Sequence, residues 1–213
     1  ITRTSQNILL NDKDLIGFVG APWTILVYMM NKMSPKNGLP GTFFDDPNLI
    51  NNLLNIIEKF VKLHIKNQIN AGANVIQIFD SWAGLLQDRI SEYIYQPTFN
   101  IVEYVKKLGV PIICFPRGIK NYKEFCEIVK PDMISIDYEV DPHEIVKNIK
   151  IPVQGGLDPK FLLSDKDNLK KEVEKYLTIF KDHPYTFNLG HGILPEAKIE
   201  LVTTLINTVR KFK

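Results

Sequence analysis

Arginine is scarce in this 213-residue chain, where only Arg3, Arg89, Arg117 and Arg210 stand against a background of scattered lysines. A polyanion site built from its own guanidinium groups would be poorly supplied, because guanidinium is the group best shaped to hold a carboxylate in bidentate fashion. Excess charge is lacking too. The formal net charge is +2 and the lysines form no basic block, which makes nucleic acid a poor partner. Cysteine is limited to Cys114 and Cys126, each in apolar surroundings (IICF and EFCEIV). That placement favours buried, reduced thiols over a disulfide framework or a metal site. No apolar stretch reaches membrane-spanning length, and the opening ITRTSQNILLNDKD carries neither a signal-peptide nor a transit-peptide pattern. No membrane partner and a cytoplasmic location are the resulting expectations. The first residue, Ile1, is no normal translation start, so upstream sequence is expected to have been lost or left out.

What is present is an ordinary globular composition, 45% hydrophobic, arranged as short apolar runs alternating with longer helical patterns from end to end. Such alternation argues for βα units and a parallel sheet. Six strands are predicted: Leu15 to Gly20, Asn74 to Phe79, Pro111 to Phe115, Met133 to Asp137, Ile151 to Gln154 and Tyr185 to Leu189. Each is nearly all apolar, as expected for strands covered on both faces. Between them, Asp46-Pro47 is an N-cap and first-turn pair. It opens a stripe of Ile50, Leu53, Leu54, Ile57, Val61 and Ile65 that runs until Gly72. Further helices are predicted from Pro97 to Leu108, from Asp141-Pro142, over the face Leu169, Val173, Tyr176, Leu177 and Phe180, and from Pro195 towards Val209. No linker or second domain is visible, and residues 1–213 read as one domain. Six units cannot close an eight-stranded barrel, whereas a doubly wound open sheet can hold six. The dinucleotide fingerprint GxGxxG is absent, and pattern alone leaves barrel and open sheet level.

Clusters of punctuating and polar residues follow almost every predicted strand. They are Gly20-Ala21-Pro22-Trp23-Thr24 with Tyr28 beyond, Asp80-Ser81-Trp82-Ala83-Gly84, Pro116-Arg117-Gly118, Asp137, Gln154-Gly155-Gly156-Leu157-Asp158-Pro159, and Asn188-Leu189-Gly190-His191-Gly192. Ligands bind at the carboxyl ends of strands in barrels and open sheets alike, so these ends outline one site. Singly, most have bland explanations: Gly-Ala-Pro-Trp reads as a turn with a core tryptophan, and Asp158-Pro159 as a helix start. His191 differs, because glycines on both sides leave its ring little local packing and let the backbone approach a ligand. The other histidines read as structural or surface groups: His64 within the long helix, His143 in a first turn, and His183 in a polar loop.

Four strings carry a family resemblance: GFVGAPWTILVYM (Gly17 to Met29), AGANVIQIFDSWAG (Ala71 to Gly84), VQGGLDP (Val153 to Pro159) and FNLGHGILPE (Phe187 to Glu196). In order and separation they resemble uroporphyrinogen decarboxylase. The resemblance implies an α/β fold, a (β/α)8 TIM barrel of which about six of eight units are present. It implies a lyase of porphyrin and heme biosynthesis that removes the four acetate carboxylates of uroporphyrinogen to give coproporphyrinogen. It also implies a homodimer when complete, and no metal or organic cofactor. By motif, Tyr28, Ser81 and His191 resemble the family's substrate-binding tyrosine, hydroxyl residue and histidine. The family's principal aspartate and the arginines of its RQAGRY-type motif have no counterpart, since no such motif occurs in the chain. Relatives commonly read QGNLDP where this chain has Gly156, and Arg117 stands where lysine or a small residue is expected.

Two alternatives remain at the level of sequence. A zinc-dependent corrinoid methyltransferase of the same superfamily needs grouped Cys and His ligands, and neither cysteine has a neighbouring histidine. A non-catalytic remnant, or one half of a split enzyme, would show the same pattern as a decarboxylase, and the chain alone is expected to be inactive.

Overall fold

Asp46 and Pro47 show how the local signals become elements. The Asp46 carboxylate accepts a hydrogen bond from the Leu49 N–H at 2.9 Å, one of the donors a helix start leaves unsatisfied, and proline needs none. The helix that follows, Pro47–Asn70, buries Ile50, Leu54, Ile57, Val61, Ile65 and Gln68 along one stripe. The computed structural model describes residues 13–35, 38–86 and 88–212, and the opening segment with Arg3 lies outside them. The chain divides into two units, Ile1–Asp132 and Met133–Lys213.

In the first unit the order is β1 (Ile16–Gly20), α1 (Pro22–Asn31), a 3-10 turn (Gly41–Phe44), α2 (Pro47–Asn70), β2 (Val75–Asp80), α3 (Gln96–Lys107), β3 (Ile112–Pro116) and α4 (Tyr122–Val129). The strands pair in parallel, Gly20 opposite Phe79 and Asp80 opposite Pro116. Trp23, fully buried, anchors an aromatic cluster with Phe43 at 5.6 Å, Tyr93 at 5.8 Å and Phe44 at 6.2 Å between ring centres. Gly-Ala-Pro-Trp is therefore a helix start, with its tryptophan in the core as expected. The expectation that every strand is covered on both faces fails at β1, where Ile16 and Phe18 are 45% and 67% exposed. Its outer backbone is nonetheless satisfied in part. Gln68 of α2 accepts from the Phe18 N–H at 3.0 Å and donates to the Phe18 carbonyl at 2.9 Å.

The second unit runs β4 (Met133–Ile136), α5 (Pro142–Asn148), β5 (Val153–Gly155), a 3-10 turn (Pro159–Leu163), α6 (Lys166–Ile179), β6 (Tyr185–Thr186) and α7 (Ile199–Lys211). Again the pairing is parallel, Ile136 opposite Gly155 and Gln154 opposite Thr186. Asp141, Asp158 and Asp165 each cap the element they precede, accepting from His143, Lys160 and both Asp167 and Asn168. Leu169, Val173 and Tyr176 form the buried face of α6, and Phe180, buried at its C-cap, stacks on Tyr185 at 4.2 Å. Two expectations need correction. β6 is shorter than Tyr185 to Leu189, because the Asn188 side chain takes the Leu189 N–H at 2.8 Å and only an isolated bridge, Leu157 to Leu189, continues the pairing. The last helix starts at Ile199 rather than Pro195, since Pro195 sits inside a turn closed by the Ala197 N–H on the Leu194 carbonyl.

Within each unit strand order follows the chain, and helices alternate with the strands throughout. The chain has an α/β fold with the βα repeat of an incomplete barrel.

Candidate active site

Tyr28 and Ser81 lie in the first unit, Ser81 directly after the carboxyl end of β2 and Tyr28 in the helix that follows β1. α1 begins immediately after β1, with the Ala21 N–H bonded to the Phe79 carbonyl at 2.8 Å, so the helix starts at the end of the neighbouring strand. Tyr28 lies one turn and a half into that helix, 45% exposed, and its ring meets Trp82 edge-on at 6.1 Å. Ser81 is the first residue after β2 and is half-buried, between buried Asp80 and half-buried Trp82. The structure thus sets Tyr28 against the turn that carries Ser81.

Asp80 is the site residue that sequence reading undervalued. Its Oδ1 accepts from the Thr24 hydroxyl at 2.6 Å, while Oδ2 is buried with no hydrogen-bond partner among the described residues. Burial is the main cause that pushes its pKa up to about 7, against the opposing hydrogen bonds from Thr24 and the Trp82 backbone. The available signal was a carboxylate ending the apolar run VIQIFD. Its partner, 56 residues away, was invisible. Arg117 contributes through its backbone, with its N–H on the Asp80 carbonyl at 3.0 Å and its carbonyl accepting from Gly84 at 2.9 Å. That links the turns after β2 and β3, but nothing in the structure explains its side chain.

His191 lies in the second unit, exposed, in the loop after β6. Glycine is required beside it. A Cβ at Gly190 would run into the Tyr138 backbone nitrogen and come within 2.8 Å of the Asp137 carbonyl carbon, so the loop rests directly on the chain leaving β4. The Gly190 N–H secures it on the Leu157 carbonyl at 2.7 Å. Gly156 also finds a reason: it has φ of 106°, its Cβ position falls 2.6 Å from the Tyr176 ring, and its carbonyl accepts from the Tyr176 hydroxyl at 2.7 Å. The departure from asparagine therefore leaves this turn with a hydrogen bond supplied from α6.

Both cysteines are free, and burial pushes the Cys114 thiol well up and that of Cys126 up to about 12. Such thiols stay protonated near neutral pH and make poor nucleophiles. Among the described residues, no His, Cys, Asp and Glu side chains group in a way that could hold a metal ion, and no helix is long and apolar enough to cross a membrane.

Comparison with known proteins then decides the family, for the model described as "Uroporphyrinogen decarboxylase (URO-D)" matches residues 1–212. The chain belongs to the uroporphyrinogen decarboxylase family. Among curated proteins, uroporphyrinogen decarboxylase of Rickettsia bellii (strain RML369-C) is 38% identical over 100% of this chain and 65% of its own length. That of Wolbachia pipientis wMel is 38% identical over 96% of this chain and 61% of its own. The chain thus spans about 61 to 65% of the length of these family members. Among solved structures, a methyltransferase from Methanosarcina mazei superposes with a TM-score of 0.78 at 16% identity, over 99% of this chain and 62% of that one. At that identity the likeness concerns the fold. It agrees with the incomplete barrel expected of this family's chain.

Proposed function

We propose that the chain works in the stepwise decarboxylation of uroporphyrinogen to coproporphyrinogen, as the substrate-orienting part of a uroporphyrinogen decarboxylase barrel. The observation that carries this reading is the family match over residues 1–212, with Tyr28, Ser81 and His191 each following a strand's carboxyl end. Loss of carbon dioxide from an acetate arm leaves carbanion character on the substrate. A pyrrole protonated beside that arm can accept the electron pair, so the reading needs neither metal nor organic cofactor, only a scaffold that orients the ring and stabilises charge. The Tyr28 phenol and Ser81 hydroxyl are donors suited to a substrate carboxylate, and the His191 ring can bind one by a charge-assisted bond when protonated. All three side chains bind or orient substrate in this proposal, and residues 1–213 act as a single barrel domain. A cytoplasmic location and a homodimeric assembly go with it.

The test is His191→Ala in the protein as its gene encodes it, assayed with uroporphyrinogen. Because His191 is exposed, the melting temperature should hold. KM should rise roughly 10-fold or more, the scale of one lost charged hydrogen bond. Unchanged kinetics would remove His191 from the site, and no turnover by the unmodified protein would favour a non-catalytic remnant.

A further inference from the structure

We infer that Thr24 is a positioning residue, whose hydroxyl locks the turn bearing Ser81 to the helix bearing Tyr28. The inference deepens the decarboxylase reading and rests on it for the roles of Tyr28 and Ser81.

Thr24 is buried in the first turn of α1 and bonds to both residues that flank Ser81. Its hydroxyl donates to Asp80 Oδ1 at 2.6 Å and accepts from the Trp82 N–H at 3.2 Å. One hydroxyl thereby fixes the chain immediately before and after the serine. Tyr28 stands four residues further along the same helix, the spacing that puts two side chains on one face. Its ring is held edge-on to Trp82, the same residue whose backbone Thr24 grips. A second tie runs alongside, from the Trp23 indole N–H to the Trp82 carbonyl at 3.0 Å. The turn can therefore stay folded when the threonine bonds are lost, while its exact placement depends on them.

Other side chains could have filled the space at Thr24 without this effect. Valine has nearly the same shape but can neither donate to Asp80 nor accept from Trp82, so it separates packing from hydrogen bonding. Serine keeps the hydroxyl and gives up a methyl group.

The experiment compares Thr24→Val, Thr24→Ser, Tyr28→Phe and the Thr24→Val/Tyr28→Phe pair in the protein as its gene encodes it. Amide exchange at Trp82 and the ring contact between Tyr28 and Trp82 by NMR are read beside uroporphyrinogen kinetics. In the valine variant, exchange at Trp82 should speed up by about tenfold and KM should rise by about tenfold with kcat within about threefold, the scale of one lost hydrogen bond. The serine variant should restore both readouts. Since Thr24 ties the Ser81 turn to the helix bearing Tyr28, adding valine to Tyr28→Phe should raise KM by clearly less than valine does alone, which is the signature of coupled residues in a double-mutant cycle. Should the valine variant not fold, Thr24→Ala takes its place in the same comparison.

Fully additive effects, or a Trp82 amide and ring contact unmoved by valine, would overturn the inference. If the unmodified protein does not turn uroporphyrinogen over, the functional reading falls. The exchange and ring-contact measurements then still decide whether the lock exists.

Discussion

At the scale of single residues, Asp80 couples the site to stability. Its carboxyl is buried with one oxygen lacking a partner among the described residues, and burial pushes its pKa up to about 7 in the fold against 3.8 for an ordinary aspartate. Between those values the folded chain holds a proton that the unfolded chain has released. Its contribution to stability is therefore full below about pH 4 and is lost as pH rises through about 7. At roughly 1.4 kcal/mol per unit, the loss is bounded by about 4 kcal/mol. Asp80→Asn, which cannot ionise, should flatten this part of the pH dependence. Urea midpoints of both proteins from pH 4 to pH 8 should converge at the acid end and separate at the alkaline end, with the wild type the weaker; parallel curves would show that Asp80 does not titrate there. Sequence could mark the strand ends but not this group. Ser81 was visible as a hydroxyl in a motif, whereas the state of Asp80 depends on burial and on Thr24, which meet only after folding.

Elements were more legible than side-chain environments wherever a local signal set their limits. Asp46-Pro47 and Asp141-Pro142 open helices where expected, because capping is decided within three residues of chain. The limits of β6 were misread because Asn188 satisfies a backbone donor that an apolar pattern assigns to a neighbouring strand. β1 shows the opposite case, a strand correctly placed whose environment was wrong. Its apolar sequence suggested cover on both faces, yet Phe18 stands out and its backbone is served by Gln68 from α2. Gly17 permits this reach, since a Cβ there would fall 2.7 Å from the Gln68 side-chain oxygen Oε1. Replacing Gln68 with Leu should cost about 1 to 3 kcal/mol, the net value of two hydrogen bonds on a partly buried strand. Denaturant titration measures the cost, and hydrogen exchange should report lost protection at the Phe18 amide. An unchanged midpoint would mean that water replaces the glutamine at no loss.

At the scale of the whole molecule, several weak motifs in one order decided what periodicity could not. Strand pattern left barrel and open sheet level, while the strings around Trp23, Ser81, Gly156 and His191 pointed to one family together, as the match over residues 1–212 bears out. The same comparison of motifs leads to the last prediction, that these 213 residues by themselves do not turn uroporphyrinogen over. Uroporphyrinogen is an octa-acid, and its capture would call for cationic groups held in fixed positions. Of the three arginines described, Arg89 is engaged by Glu92 at 2.9 Å and lies over the Tyr93 ring at 4.4 Å, Arg210 sits in the last turn of α7, and Arg117 alone directly follows a strand's carboxyl end, that of β3. No RQAGRY-like motif or matching aspartate occurs in the chain to make up the difference. Loss of a single preorganised electrostatic partner costs about 100-fold to 1000-fold in rate, so the absence of several should put turnover below detection. The assay is coproporphyrinogen formation by the purified 213-residue chain, alone and mixed with a separately expressed segment carrying the motif. Activity only in the mixture would identify the chain as one part of a divided barrel, and an ordinary rate from the chain alone would refute the prediction. Silence in both would favour a remnant that keeps the family's fold without its reaction.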